Sequence, residues 1–469
     1  MLLDFIKKKI RNNFPHVPTK EQENVMHILA EFIHSNNHVL VVKGYAGTGK
    51  TSVIASFVQT LVELSIPSFL MAPTGRAAKV LSYYTKTAAT TIHKTIYRQA
   101  STHNGIQKFS LYFNAHAQSV FIVDEVSMLA NNSFDKSMFG SGLLLNDLFE
   151  FVFENDKNCK LILIGDTAQL PPVGLSVSPA LDVEYLSTTF FKQIETAHLY
   201  EVVRQQKESG ILALATEIRT IIENNSCDFP HISQTSDVIP ITGDILLEHL
   251  ESSYSSVGEE HTIVITRSNK YANKYNQGIR AMVLWRESQI NVGDFIMVVK
   301  NNYYWSEKST KINFIANGDI AEITHISQYE NLYGFAFANV RLRFVDYDNE
   351  ELDVKILLQT LESESPALSY DDNTLLYTAV QEDYQHITSA RARYQEIRKN
   401  EYFNALQIKY AYAITCHKAQ GGQWKHVYID HGYLPENTTN VDFLRWLYTA
   451  CTRATERLYL VNFKKEFFE

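Results

Sequence analysis

The run Gly44-Tyr45-Ala46-Gly47-Thr48-Gly49-Lys50-Thr51 constrains this chain more than any other feature, because of what flanks it. Before it lies HVLVVKG, His38 to Gly44, a short, β-branched, apolar stretch of the kind that forms a buried parallel strand. After it, TSVIASFVQTLVEL carries helical periodicity. Strand, glycine loop and helix in that order let backbone amides at a helix N-terminus meet phosphate oxygens, and the spacing fits the P-loop template GxxxxGK[ST]. In that template Gly44, Gly47 and Gly49, with Thr48 between the last two, allow close approach of the backbone. Lys50 reaches the terminal phosphates, and the Thr51 hydroxyl ligates magnesium. ATP and Mg2+ are the expected ligands.

The strand pattern repeats in SFLMAPT around Leu70, SVFIVDE around Ile122 and KLILIGD around Leu163, each an apolar run that ends in polar residues. Ligands collect at such carboxyl ends in open α/β sheets. Asp124 and Glu125 follow one of these strands directly, and their roles can differ: Asp124 holds the magnesium-bound water shell, and Glu125 orients and deprotonates the attacking water. Taken alone, such a pair is an ordinary solvated loop; beside a P-loop it becomes a catalytic candidate. In GDTAQLPPV, Gly165 to Val173, Gln169 is placed to contact the γ-phosphate and the two prolines stiffen the loop. Upstream, Val25, Ile28, Leu29, Phe32 and Ile33 recur at helical spacing after the Pro18-Thr19 start signal.

A second series of strands begins near LYEVVRQ at Leu199 and continues with HTIVITRSN, His261 to Asn269. It resumes late with KYAYAIT, HVYID and RLYLVNF. From about Ile290 to Asn404 the texture changes to alternating strands, VGDFIMVVK, ANGDIAEITHI and FANVRLRFVDY, with Asn317-Gly318 at a turn. The expected organisation is a first α/β lobe over 1–196, a second over 197–290 and 405–469, and a small β-barrel over 291–404 inserted into the second. SESPALSYDD within the insertion reads as a loop. Two arginines of the second series, Arg204 at the end of LYEVVR and Arg453 in YTACTRAT, are candidates to stabilise charge on a departing γ-phosphate, a surface role being the alternative for each. Between Thr95 and Gln118, YRQASTHNGIQKFSLYF reads as a hairpin around Asn104-Gly105.

Composition narrows the class. The chain has 469 residues, 45% of them hydrophobic, enough for several cores and against disorder. Cys159, Cys227, Cys416 and Cys451 lack CxxC spacing, so neither a zinc site nor a disulfide framework is expected, and a reducing cytoplasm fits. No apolar run approaches the roughly eighteen residues of a membrane span, so a soluble intracellular protein is expected. The net charge of -9 argues against an indiscriminate polycation, although a local basic groove with stacking groups is all that a single strand needs.

The ordered set GYAGTGKT, APTGRAA, TIHK, DEVSM, GDTAQLPPV, VVRQ, TCHKAQGG and YTACTRA resembles the motif series of superfamily-one helicases, and within it the RecD-like and Dda-like branch that moves 5' to 3'. The resemblance runs from about Thr19 to Phe463. It implies two RecA-like P-loop lobes, a hairpin insertion in the first and an SH3-like β-barrel in the second. It further implies adenine recognition by Gln22, and γ-phosphate contacts by Gln169, Arg204 and Arg453. Pro73, Thr74, Thr91, His93, Thr415, His417 and Lys418 are implied to face single-stranded DNA, with low sequence specificity because such contacts go to backbone and stacked bases. A core or capping role is the alternative for His93 and His417. Related helicases carry a pin where the hairpin falls, which makes Phe109, Tyr112 and Phe113 candidates to stack on an opening base pair, packing against the lobe being the alternative. Residues 346–400 match the branch least, and GGQW departs from the usual motif ending, so Trp424 is read as core. The implied activity is ATP-dependent unwinding, with single-stranded DNA and a duplex fork as partners. Translocation without efficient unwinding is a second reading. A nucleotide-gated scaffold is a third, against which the intact Lys50, Glu125 and arginines argue. No heptad run suggests a dimer, so a monomer with no membrane partner is expected.

Overall fold

The computed structural model describes residues 2–103, 106–131, 140–154, 158–202, 209–224, 226, 228–309, 312, 315–345, 347, 349–432 and 440–468. The chain divides into two compact units, Met1–Ser233 with Thr438–Thr452, and Gln234–Asn437 with Arg453–Glu469.

The first unit opens with α1 (Leu2–Asn13) and α2 (Lys20–Phe32). Thr19 starts α2 through a capping box: its hydroxyl accepts from the Gln22 amide nitrogen, and the Gln22 side chain accepts from Thr19 N–H. There follow β1 (Val39–Gly44), α3 (Lys50–Glu63), β2 (Ser68–Ala72), α4 (Gly75–Thr85), β3 (Ala89–Thr91), α5 (Ile92–Ile96), β4 (Tyr97–His103), β5 (Ile106–Leu111), β6 (Val120–Val123), α6 (Leu144–Phe153), β7 (Lys160–Gly165), α7 (Val183–Phe190), β8 (Ile194–Leu199) and α8 (Gly210–Glu223). Six of the strands form one parallel sheet in the order β3-β2-β6-β7-β1-β8. Both faces are covered, which is why the inner strands β6, β7 and β1 are largely apolar, whereas the edge strands β3 and β8 carry polar residues. Leu40, Val42, Ile162 and Ile164 pack with residues of α1 to α3, whereas Val39, Val41, Leu161 and Leu163 pack with α6 and Leu186 of α7.

The second lobe was expected to begin at 197, and here the structure differs. Ile194–Leu199 pairs along the whole length of β1, so Leu199 ends the first sheet, and the first unit continues through α8 to Ser233. The sequence of a strand does not state which sheet it joins; hydrogen bonding to β1 decides it.

The second unit contains β9 (Val238–Ile241), α9 (Leu246–Val257), β10 (Thr262–Thr266), α10 (Asn269–Gly278), β11 (Phe295–Val298), β12 (Ile320–Leu332), β13 (Phe335–Phe344), β14 (Glu350–Leu357), α11 (Tyr370–Asp383), α12 (Ala390–Ile397), β15 (Leu406–Tyr410), β16 (Ala413–Thr415), α13 (Cys416–Ala419) and β17 (Trp424–Asp430). After it, α14 (Val441–Cys451) returns to the first unit, and β18 (Ala454–Val461) completes a parallel sheet ordered β16-β10-β17-β18-β9. Strands β11 to β15 close a barrel. The insertion therefore ends near Tyr410 rather than at 404: KYAYAIT, read as one strand, splits into a barrel strand and a sheet strand around Ala411-Tyr412. The poorly matched stretch holds α11 and α12, started by the Ser369 and Ser389 caps and packed through Leu376, Val380 and Ile397 against Phe335, Phe337 and Leu357 of the barrel. Gly318, at φ +97°, makes the expected turn into β12. Asp294, fully buried, accepts from Arg280, Arg286 and Tyr412 at 2.9–3.0 Å and ties the barrel's entry to its exit.

Candidate nucleotide site and strand-end motifs

Strand order assembles the first unit's site. β6, β7 and β1 are neighbours, with Val123 opposite Leu163 and Lys43 opposite Gly165, so DEVSM, GDTAQL and the glycine loop leave one carboxyl edge side by side. Gly47 and Gly49 adopt φ of 76° and 81°, a region closed to most side chains. A Cβ on Gly44 would lie 2.8 Å from Lys50 Cγ. Gly49 is the N-cap of α3 and offers no side-chain cap, so the first amides of that helix keep their donors for an anion. Lys50 Nζ donates to the carbonyls of Gly44 at 2.7 Å and Tyr45 at 2.9 Å, and the buried Thr48 hydroxyl donates to Tyr45 O at 2.8 Å.

Asp124 Oδ1 accepts from the Glu125 N–H at 2.8 Å. Burial first, and the Glu125 charge second, raise the Asp124 carboxyl above its ordinary range, against the pull of that N–H and of Lys50. Glu125 sits at φ +54°, a left-handed conformation that costs a non-glycine residue about 1 kcal/mol or more. Gln169 is 5% exposed, and its side-chain oxygen is buried without a hydrogen-bond partner among the described residues. An orphaned acceptor beside two carboxylates, a lysine and an open helix N-terminus fits a triphosphate and an attacking water. Thr51 and Asp124 carry the hard oxygen atoms that would hold a magnesium ion there.

Gln22 is 2% exposed and donates to Thr48 O at 2.9 Å, so it lies on the glycine loop, and its amide has one further hydrogen and lone pair for a base. Three residues that sequence reasoning passed over join this region. Tyr45 stacks on Tyr200 at 5.0 Å and donates to Glu223; the Arg219 guanidinium lies 4.3 Å from the Tyr45 ring with a buried, unpartnered Nε; and the Tyr448 hydroxyl bonds to Ala46 N. Arg219 comes from an amphipathic helix whose sequence carries no mark of this use, and Tyr448 opens YTACTRA, a motif read only for its arginine.

The residues assigned to DNA divide between the units. Pro73 and Thr74 follow β2, and Thr91 ends β3 opposite Ala72, so both segments lie at adjacent strand ends on the side of the sheet away from β1. Both hydroxyls are committed to caps, Thr74 to Ala77 N and Thr91 to Lys94 N, and Thr91 is buried. Burial holds the His93 imidazole down to about 4 despite nearby Asp147, so it is neutral and tilts against Tyr97 at 5.6 Å, in keeping with the core reading. In the second unit Thr415 ends β16 opposite Thr266 of β10. His417 is exposed, and Lys418 donates to Asn317 Oδ1 at 2.6 Å, its ammonium lowered to about 8 by burial and by Lys409.

Arg453 is 5% exposed in the second unit and donates to Gly422 O at 3.3 Å, while Trp424 is buried as read. Arg204 lies outside the described residues, as does the Asn104-Gly105 turn. The hairpin is present as β4 and β5, antiparallel from Tyr97 opposite Leu111 to His103 opposite Ile106. Phe109 is half-buried and packs on the core beneath the sheet, the packing alternative, whereas Tyr112 and Phe113 are exposed and Arg98 stacks on Tyr112 at 4.5 Å.

Two parallel α/β sheets, one carrying a complete P-loop edge, define a protein of the P-loop nucleotide-binding class. Residues 19–224 match the AAA domain family and residues 410–461 the UvrD-like helicase C-terminal domain. The ATP-dependent DNA helicase Dda of Enterobacteria phage T4 is 27% identical over 60% of this chain and 60% of its own length. The ATP-dependent RecD2 DNA helicase of Deinococcus radiodurans is 23% identical over 97% of this chain and 50% of its own. The chain thus spans about half to three fifths of these relatives. A Pif1 helicase from Bacteroides, solved with ADP-AlF3 and single-stranded DNA, shares the fold at a TM-score of 0.51, with 17% identity, over 97% of this chain and 95% of that one. In sequence the chain is thus similar to ATP-dependent DNA helicases of the Dda and RecD2 kind, and in fold to a Pif1 helicase.

Among the described residues no helix is long and apolar enough to cross a membrane.

Proposed function

We propose that the chain is an ATP-dependent DNA helicase that tracks 5' to 3' along single-stranded DNA. The observation that carries this is the convergence of Lys50, Asp124, Glu125 and the orphaned Gln169 at one carboxyl edge, with the APT and TIHK segments at the strand ends farther along the same edge. Lys50 and the α3 amides bind and orient the phosphates, Glu125 takes the proton of the attacking water, and Gln169 orients that water. Bound through Thr51 and Asp124, magnesium supplies charge neutralisation on the phosphate oxygens. Gln22 reads the base. Arg204 and Arg453 are the groups assigned to stabilise charge as the γ-phosphate departs. Pro73, Thr74, Thr91, Thr415, His417 and Lys418 meet the DNA strand, with His93 supporting them as a neutral group.

The direction rests on kinship with the RecD-like branch, since no residue chemistry encodes it. Partial duplexes with a 5' or a 3' tail, with ATP turnover followed in parallel, test the whole reading. Unwinding is expected from the 5' tail. Equal or better unwinding from the 3' tail refutes the direction, and turnover without unwinding from either tail leaves a translocase.

A further inference from the structure

Helix α14 belongs to the first unit and places two adjacent side chains on the nucleotide loops. The Tyr448 hydroxyl donates to Asp166 Oδ2 at 2.7 Å and accepts from the Ala46 N–H of the glycine loop at 2.9 Å. One residue on, Thr449 Oγ1 accepts from Leu170 N at 2.8 Å and donates to Arg445 O at 2.7 Å. Tyr448, Thr449 and Asp166 are all buried, at 1%, 0% and 0% exposure. Between the two grips lies Gln169. Its own N–H reaches Asp166 O at 3.3 Å, and Asp166 Oδ1 accepts from Ala168 N at 2.9 Å. The main chain on either side of the unpartnered Gln169 oxygen is thus held by α14, and the same tyrosine holds one amide of the phosphate loop.

We propose that Tyr448 and Thr449 are positioning residues for ATP hydrolysis, setting Gln169 and the glycine loop in register with each other across the phosphate site. This rests on the reading of the first unit as the hydrolytic site. A phenol suits the task because a single hydroxyl both accepts from Ala46 and donates to Asp166, joining the two loops through one group. Burial, and then the Asp166 carboxylate beside it, keep the phenol well above its ordinary range, so it stays protonated and remains a donor. Neither residue touches the reacting phosphate. Their effect is on the placement of groups that do, and misplacement of reacting groups is paid in rate rather than in ground-state affinity.

Tyr448→Phe keeps the ring and removes both bonds; Thr449→Val keeps the shape and removes the acceptor for Leu170; Thr449→Ser restores it. In the full chain, single-strand-stimulated ATP turnover, affinity for fluorescent ADP and melting temperature are measured for each, with Lys50→Ala as control. The expected result is a fall in kcat of about tenfold for Tyr448→Phe and for Thr449→Val, the size of one lost charge-assisted or orienting hydrogen bond. KM and ADP affinity should stay within about threefold, melting should change little, and Thr449→Ser should recover most of the rate. Unchanged kcat in both variants overturns the proposal. So does a parallel loss of melting temperature, affinity and rate that serine does not rescue, since packing alone would produce it. Full turnover by Lys50→Ala would instead overturn the underlying site, and the inference with it.

Discussion

The two parallel sheets of this chain share an architecture and differ in how their strands end. In the first unit β1 runs into a glycine loop, and α3 begins at Gly49 with no side chain over its first amides. In the second, β10 runs into Arg267-Ser268, and the Ser268 hydroxyl accepts from Tyr271 N at 3.3 Å, closing the N-terminus of α10 on itself. One helix keeps its orphan donors for a ligand, and the other satisfies them internally. Function therefore follows from the exits of the strands rather than from the sheet. The same contrast recurs along the first sheet: the β1 exit is open, whereas Thr74 and Thr91 cap the helices after β2 and β3.

The harshest way to break this comparison is to disable the open end. Lys50→Ala and Glu125→Gln should each reduce DNA-stimulated ATP hydrolysis by a factor of about a hundred or more, because one removes phosphate charge neutralisation and the other the water-activating base. Binding of a labelled single strand, read by anisotropy, should persist; normal turnover in either variant would show the site to be elsewhere. Next in size, Arg453→Ala and Arg204→Ala should lower kcat by about a hundredfold while ADP affinity changes severalfold at most, if they act as proposed on the transition state. Affinity and rate falling together would make them ordinary binding groups.

The hairpin sharpens the comparison at a smaller scale. Phe109, packed on the core, should when changed to alanine lose about 1–3 kcal/mol of stability, with ATPase and unwinding falling together. Phe113→Ala, at an exposed position, should spare melting and ATPase while unwinding falls. Unwinding unchanged by Phe113→Ala removes that ring from strand separation. The smallest effect is expected at the closed end. Ser268→Ala should cost about 1 kcal/mol in denaturant unfolding and leave nucleotide affinity untouched. A change in ADP binding would mean that the second sheet takes part in the site after all.

Much of this was legible in the sequence because it is local. The glycine loop, the carboxylates after an apolar strand, the Thr19 start of α2 and the Asn317-Gly318 turn depend on residues within a few positions of one another, and short-range sterics and capping act at that range. Even the apolar runs of the strands announce that both faces of the sheet are covered. What tertiary structure alone decided is partnership. That β8 joins the first sheet, that Leu406–Tyr410 closes a barrel, that α14 returns to the first unit with Tyr448 on Ala46 and Asp166, and that Phe109 turns inward all concern pairs distant in the chain. A buried β-branched run has the same pattern whichever sheet it enters, and a tyrosine on an apolar helix face has the same pattern whether it fills a core or bridges two loops. Hydrogen-bond partners and packing neighbours distinguish these outcomes, and both exist only once the chain has closed on itself.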